Sequence, residues 1–179
     1  MAQKTSLNSA HRKAGARMVD FGGWDMPLHY GSQVEEHHIV RQSAGCFDVS
    51  HMTIVDVTGD DAKSFLQLLL ANDVDRLKIE GKALYSCMLN PEGGVIDDLI
   101  VYYLSSTYYR VVVNASTREK DLNWIKLQAD RFAVTISVRD DLSMIAVQGP
   151  KARKLTLPLL PIDLQQGASH LEPFYAAYL

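Results

Sequence analysis

The middle of the chain alternates between apolar and polar residues, a pattern that indicates β-strands with one buried face. The clearest example is 52–58, which is also rich in β-branched side chains. A turn rich in Asn, Pro and Gly at 90–94 separates two apolar runs, so these runs are expected to form a hairpin. The predicted strands are 52–58, 83–89, 95–104, 108–113, 134–138 and 144–147.

A helix is predicted over 32–43, ahead of these strands. Ser32 can cap it, and Glu35 follows three residues later, as in a capping box. Before this helix, glycines and a proline interrupt the pattern between residues 22 and 31, so this stretch is predicted to be a loop.

Two more helices are predicted between the strands. Asp60 or Asp61 is expected to cap the first, whose apolar residues have the spacing of a helix buried on one side. These residues are Ala62, Phe65, Leu66, Leu69 and Leu70. Thr117 is expected to cap the second helix, in which Asp121 lies on or near the same face as Trp124.

The order of these elements predicts an α+β fold. From 52–58 to 134–138 the order is β-α-β-β-β-α-β, and two helices on one face of an antiparallel sheet would bury both apolar stripes. This is a ferredoxin-like arrangement with one added strand, assigned to residues 51–139. Residues 1–50 and 140–179 are expected to form a second layer or part of another domain.

Composition excludes several classes of protein. The chain has 179 residues, of which 47% are hydrophobic and 22% charged, as in a folded globular protein. Its net charge of -3 argues against a nucleic-acid partner, and no apolar run reaches the ~18–20 residues that span a bilayer. The two cysteines form no CxxC motif, so no metal site is expected, and the absence of a signal-peptide pattern predicts a cytoplasmic protein.

Asp97 and Asp98 are the most informative polar pair, because they begin a strand just after the 90–94 turn. Successive side chains of a strand point to opposite faces, so Asp98 shares a face with Ile100 and Tyr102 while Asp97 lies on the other. One carboxylate is expected to cap the turn, and the other to lie beside an apolar, aromatic wall that disfavours its charge. The alternative is that both are solvated turn residues.

Aromatic and amide side chains on the same strands indicate a surface for a flat ligand, although half-buried core tyrosines give the same pattern. Asn114 ends a strand, where a polar side chain is well placed to meet a ligand, and Asn is also a common turn residue. The tyrosines in or beside the strands are Tyr85, Tyr102, Tyr103, Tyr108 and Tyr109.

Six stretches of sequence together carry a resemblance to a known family. They are MVDF with GW and MP between 18 and 27, FDVSHM at 47–52, GKALY at 81–85, GGVIDDLIVY at 93–102, VVVN at 111–114 and QGP at 148–150. Taken together they resemble the aminomethyltransferase (T-protein) family of the glycine cleavage system. The motif at 93–102 is the most specific of the six.

The resemblance implies an enzyme that moves a one-carbon unit from the aminomethyl-lipoyl arm of the H protein to tetrahydrofolate, with release of ammonia. The implied partners are therefore folate and the lipoylated H protein. By match to the family motif, Asp98 is the catalytic residue beside the reactive folate nitrogens. Our hypothesis is that Asp98, and not Asp97, orients the folate nitrogen and stabilises a developing iminium cation. Folate contacts are implied for Met52, Tyr85, Ile100, Tyr102 and Asn114.

Family members are about twice as long and carry a C-terminal barrel, so we expect this chain to be an N-terminal fragment that is inactive alone. Residues 1–50 and 140–179 would then be incomplete parts of the first folate-binding domain. The alternatives are a dimethylglycine- or sarcosine-type folate module, a non-catalytic folate-binding relative that acts in iron–sulfur cluster assembly, and a plain α+β interaction module.

Overall fold

A computed structural model describes residues 2–177 of the chain. The helices are α1 (Asn8–Lys13), α2 (Gln33–Gln42), α3 (Ala62–Leu69), α4 (Arg118–Ala129), α5 (Ala152–Thr156) and α6 (Ile162–Ser169). The strands are β1 (Arg17–Phe21), β2 (Trp24–His29), β3 (Gly45–Asp48), β4 (Thr53–Thr58), β5 (Ala83–Leu89), β6 (Val95–Ser105), β7 (Tyr108–Val113), β8 (Thr135–Val138) and β9 (Ile145–Gln148). Among the helices of these described residues, none has both the length and the apolar character needed to cross a bilayer.

The chain divides into two compact units. The first consists of residues 2–51 together with Leu142–His170, and the second of Met52–Asp141 together with residues 171–177. The stretch 171–177 therefore lies with the second unit, whereas the sequence grouped it with the first. Its attachment is visible as backbone pairing, since the Phe174 carbonyl accepts a hydrogen bond from the Ala83 amide at 2.8 Å.

The second unit is built on a five-stranded antiparallel sheet with the order β5-β6-β7-β4-β8. With α3 and α4 inserted, the chain order is the β-α-β-β-β-α-β that the sequence predicts, so the α+β, antiparallel prediction is confirmed. The bounds of β5 and β7 agree with the predicted 83–89 and 108–113. The sequence predicts the bounds of these two strands correctly because turn residues flank their β-branched and aromatic runs.

Both helices pack on one face of this sheet. Alternate residues of β4 and β6, among them Val55 and Val101, are fully buried against Phe65 and Leu66 of α3 and Ile125 of α4. Each such side chain contributes about 1.5–3 kcal/mol when it leaves water. We call this the helix-packed face; the opposite side, which carries the other alternate residues of each strand, is the second face.

The predicted helix caps have mixed outcomes. Ser32 caps α2, and its hydroxyl accepts a hydrogen bond from the Glu35 amide at 3.3 Å, as predicted. Asp61 stands at the start of α3, but its carboxylate accepts from the Ala133 amide at 2.9 Å instead of capping the helix. Thr117 likewise gives its hydroxyl to a neighbouring carboxylate and does not cap α4, so these two cap predictions are wrong.

In the first unit, the prediction of a loop over 22–31 is also wrong. β2 pairs with β1 in an antiparallel hairpin, and β3 pairs with β9. Gly22 and Gly23 have φ of 60° and 86° and make the whole turn, because glycine adopts this conformation without steric cost. β2 tolerates Pro27 because each strand of a two-stranded sheet has an outer edge, where a backbone amide donor is not needed for pairing.

A buried ionic cluster holds the second face of the sheet together at β4 and β7. Asp56 is 4% exposed and accepts two hydrogen bonds from its strand partner Arg110, at 2.7 and 2.9 Å. Arg139 and the Tyr108 hydroxyl donate to the same carboxylate at 2.6 and 2.8 Å. Burial raises the pKa of Asp56, but these hydrogen bonds outweigh burial, and its pKa is lowered from the ordinary value.

Asp56→Asn is expected to lower the free energy of unfolding by about 2–4 kcal/mol at pH 7, because it removes the charge that both arginines share. The pKa of Asp56 is lower in the folded chain, so this stabilisation is present above its ordinary pKa of about 4 and is lost as pH falls further. Urea unfolding of both proteins from pH 7 to pH 3 measures the difference. Exposed Asp60→Asn is the control, with a change within about 0.5 kcal/mol; a similar small change in Asp56→Asn would contradict the expectation.

Candidate functional site

The pleat of three neighbouring strands gathers the candidate residues on the second face. Cross-strand partners point to the same side of a sheet. Ile100 of β6 pairs with Tyr85 of β5 and with Val112 of β7, and Asp98 pairs with Cys87. The second face therefore carries Asp98 and Ile100 of β6 together with the side chains of β5 and β7 that pair with them.

Asp98 is held from two sides. The Tyr85 hydroxyl donates to one carboxylate oxygen, Oδ2, at 2.7 Å. The side-chain amide of Asn114 donates to the other, Oδ1, at 3.3 Å and to the Asp98 carbonyl at 3.2 Å. A carboxylate offers about four acceptor positions, so Asp98 retains capacity for a further donor. The structure thus brings together three of the residues that the sequence singles out.

The bond to Asp98 also changes Tyr85. Donating this hydrogen bond stabilises the protonated phenol, and the nearby negative charge disfavours a phenolate. The pKa of Tyr85 is consequently raised, with the Asp98 hydrogen bond as the largest cause. Tyr85 is 51% exposed, so its ring presents a flat surface to solvent beside the carboxylate.

The remaining predicted residues lie on the same sheet. Ile100 and Tyr102 follow Asp98 along the second face and are half-buried, and burial raises the pKa of Tyr102. Met52 is also half-buried and directly precedes Thr53, which pairs with Val113, so it lies at the same end of the sheet as Asn114. The surface combines apolar and aromatic side chains with one carboxylate and one amide.

The strand tyrosines have different environments. Neither the interpretation as a ligand surface nor the interpretation as core residues therefore holds for all of them. Tyr109 is 1% exposed and contacts the Tyr103 ring with centroids 5.3 Å apart on the helix-packed face. Tyr108 donates to the buried ionic cluster. Tyr85 contacts Asp98, and Tyr102 lies farther along the same face of β6.

Asp97 has a different environment from its neighbour. It is 8% exposed on the helix-packed face and accepts hydrogen bonds from Thr117 Oγ1 at 2.8 Å and from Asn114 Nδ2 at 3.1 and 3.2 Å. The idea that both aspartates are solvated turn residues is therefore wrong for Asp97. The 90–94 turn is closed by Asn90, whose side chain accepts from the Gly94 amide at 2.6 Å, and not by a carboxylate of the pair.

Two residues beneath the site were not predicted as part of it. Thr117 and Asp121 lie next to Asp97, and Asp121 is completely buried. The sequence does hold a signal for Asp121, because an acid on the apolar side of a helix needs a partner. In the described residues, no group of three His, Cys, Asp or Glu side chains converges in a way that could hold a metal ion.

A family model described as GCVT N-terminal domain matches residues 7–177. The chain belongs to this GCVT N-terminal domain family. An aminomethyltransferase of Stenotrophomonas maltophilia (strain R551-3) is 66% identical over 159 residues, which are 89% of this chain and 43% of that protein. One of Xanthomonas axonopodis pv. citri (strain 306) is 62% identical over 176 residues, or 98% of this chain and 48% of the relative.

A solved structure supports the same assignment of the GCVT N-terminal domain. The crystal structure of glycine cleavage system aminomethyltransferase T from Bartonella henselae matches with a TM-score of 0.89 and 32% identity. The match covers 98% of this chain and 47% of that one. The chain thus spans about half the length of the relatives it matches.

Asp98→Asn is expected to lower the pKa of Tyr85 towards the ordinary value, because it removes the charge that opposes phenolate formation. Carbon-13 NMR of the tyrosine Cζ atoms during a pH titration measures this shift, with Tyr85→Phe used to assign the resonance. Exposed Glu92→Gln, on the turn before the same strand, is the control and should leave the Tyr85 titration in place. An unchanged Tyr85 titration in Asp98→Asn would show that this hydrogen bond does not form in solution.

Proposed function

We propose that the second face around Asp98 contacts the pterin ring of tetrahydrofolate in an aminomethyltransferase reaction. The observation that carries this proposal is the Asp98 carboxylate, held between the Tyr85 hydroxyl and the Asn114 amide beside an apolar wall. The relatives that match are named aminomethyltransferases, which supports the reaction class. The aminomethyl group would come from the lipoyl arm of an H protein, and ammonia would be released.

The residues present fit such a ligand. A pterin is flat, and Ile100 with Tyr102 supplies an apolar and aromatic surface for its ring. Its edge carries N–H groups, and Asp98 still has acceptor positions after Tyr85 and Asn114 have donated to it. Met52 would add a flexible apolar contact at the same end of the sheet.

Asp98 would act through its charge. One-carbon transfer from an amine develops positive charge at the reacting centre, and a fixed carboxylate beside it lowers the energy of that charge. Because Tyr85 and Asn114 hold the carboxylate before the ligand arrives, little reorganisation is needed during the reaction. Asp97 is turned to the helix-packed face, where it cannot serve this purpose directly.

We assign residues 2–51 and 142–170 to the folate-binding domain that the family resemblance implies, and the sheet unit to its ferredoxin-like part. Under this assignment, further walls of the ligand site would come from the part of the relatives' sequence that the match does not cover. We also propose that the protein works in the cytoplasm, where tetrahydrofolate and a lipoylated H protein would be its partners.

Asp98→Asn in the product of the complete reading frame is expected to lower kcat by about 10²-fold or more, because a preorganised charge is lost. Asp97→Asn should reduce kcat much less and mainly lower the melting temperature, since Asp97 is buried among hydrogen bonds. The measurement is formation of 5,10-methylenetetrahydrofolate with aminomethylated H protein, on variants whose folding is checked by circular dichroism. Equal losses in folded variants, or the reverse order, would overturn the assignment.

The 179-residue chain alone is expected to bind tetrahydrofolate weakly and to show no aminomethyl transfer. Ligand sites usually bury about 70–90% of a ligand, whereas here Tyr85 beside Asp98 is 51% exposed. Isothermal titration calorimetry under reducing conditions measures the affinity, with Asp98→Asn as the matched variant. Tight, stoichiometric binding that is lost in Asp98→Asn would show that this sheet face suffices.

A further inference from the structure

Asp121 is a buried acid for which the core offers no obvious partner. It lies on α4 with 0% exposure, next to Leu122 and one turn from the core residue Ile125. Among the described residues, neither of its carboxylate oxygens has a donor at hydrogen-bonding geometry. An ionised carboxylate left in that position would be strongly unfavourable.

The group that faces Asp121 is another carboxyl, that of Asp97. Thr117 lies between them, but its single hydroxyl proton points to Asp97 Oδ2 at 2.8 Å and, more weakly, to the Asn114 carbonyl at 3.3 Å. Thr117 also lies near Asp121 and lowers its pKa, but in this arrangement its single proton is directed to Asp97. Two adjacent buried carboxyls are compatible only if one of them carries a proton and donates it to the other.

The surrounding donors decide which carboxyl is charged. Asp97 accepts from Thr117 and from both the backbone and side-chain amides of Asn114, which stabilise a carboxylate. Asp121 has fewer groups in its favour: the nearby Thr117 hydroxyl, which is already directed at Asp97, and the charge of Lys120 on its own helix. Burial and, after it, Asp97 raise the pKa of Asp121 to about 7 against the opposing effects of Thr117 and Lys120. The pKa of Asp97 is lowered despite burial, because Asp121, Thr117 and Asn114 hydrogen-bond to it.

Asn114 connects this buried pair to the second face. Its side-chain nitrogen donates to both oxygens of Asp97 and also lies 3.2 Å from the Asp98 carbonyl and 3.3 Å from Asp98 Oδ1. An amide has only two N–H protons, so their direction depends on where the Asp97 carboxylate sits. A continuous path thus runs through the sheet from Asp121 to Asp97, Asn114 and Asp98.

We propose that Asp121 is a positioning residue for Asp98: it carries a proton that it shares with Asp97, and the pair fixes Asn114 and, through it, the Asp98 carboxylate. The positioning role rests on the proposed function of Asp98, whereas the shared proton does not. Asp121 would touch no substrate. Loss of its proton would place two negative charges side by side. It would also weaken the contact between Asp121 and Asp97, at the buried end of the path.

The shared proton is tested on the 179-residue chain without any substrate. Carbon-13 NMR of the side-chain carboxyls is expected to show one group that titrates near pH 7 in the wild type and in the control Glu119→Gln, an exposed acid of the same helix. Asp121→Asn should lack that titration. If every aspartate and glutamate of the wild type titrates below about pH 6, the shared proton is overturned.

The pH dependence of folding stability provides an independent test of the shared proton. The pKa of Asp121 is higher in the folded chain than its ordinary value near 4, so the folded chain loses stability from this group as pH rises from about 4 to 7. Asp121→Asn cannot ionise and keeps an N–H donor for Asp97. Its midpoint in urea should therefore rise relative to the wild type between pH 5 and pH 8, while Glu119→Gln shows no such trend; a constant difference would contradict the proposal.

The positioning role is tested with Asp121→Ala, which removes the donor, and Asp121→Asn, which restores one. In this chain, Asp121→Ala should lower the pKa of Tyr85, because Asp98 is held less firmly against it, and Asp121→Asn should not. In the product of the complete reading frame, Asp121→Ala should lower kcat about tenfold relative to wild type with Asp121 protonated, with a smaller change in KM. At pH 8, Asp121→Asn should have a higher kcat than the wild type.

The possible outcomes separate the two proposals. Folded Asp121→Ala with an unchanged Tyr85 titration and unchanged kcat overturns the positioning role. If Asp121→Ala does not fold, the comparison of Asp121→Asn with wild type at pH 8 decides, because there the wild type has lost the proton and Asp121→Asn should have the higher kcat. If Asp98→Asn retains full activity, the proposed function and the positioning role both fail, and a carboxyl that titrates near pH 7 would still establish the shared proton.

Discussion

The pleat of β6 is the constraint on which the candidate site depends. Adjacent residues of a strand must point to opposite faces, so Asp97 and Asp98 cannot share an environment. One carboxyl lies in the core under α4 and the other lies on the second face beside Tyr85. A shift of register by one residue would exchange them and place the catalytic candidate in the core. The pairing of β6 with both β5 and β7 prevents this shift.

Burying Asp97 has an energetic cost that shapes its surroundings. A carboxylate in a core needs donors, and the chain supplies them from the end of β7 and the start of α4, through Asn114 and Thr117. This explains why Thr117 does not cap its helix: the hydroxyl serves a buried charge, where a hydrogen bond is worth more than at an exposed helix end. The local rule for capping is overridden by a tertiary requirement, the burial of a carboxylate next to the candidate site.

The sequence predicts most of the second unit because each of its elements has a strong local signal. β5 and β7 combine β-branched and aromatic residues with clear turns, and the face shared by Asp98 and Ile100 follows from strand geometry alone. The sequence does not predict the hairpin of β1 and β2, because two adjacent glycines are typical of a loop, whereas here the positive φ of Gly22 and Gly23 makes a complete two-residue turn. The role of Asn114 as a bridge between two carboxylates depends on distances across strands, which no local pattern contains.

Asp121 shows why a candidate site extends beyond the residues that line it. Viewed as a helix position, it is an acid on an apolar stripe, which is unfavourable by itself. Viewed with Asp97, the same acid becomes a donor, provided that it keeps its proton. The charge of Asp97 then remains, held by Asp121 from the core and by Asn114 from the strand end. Because Asn114 divides its two protons between Asp97 and Asp98, the orientation of the exposed carboxylate depends on a proton buried on the other side of the sheet.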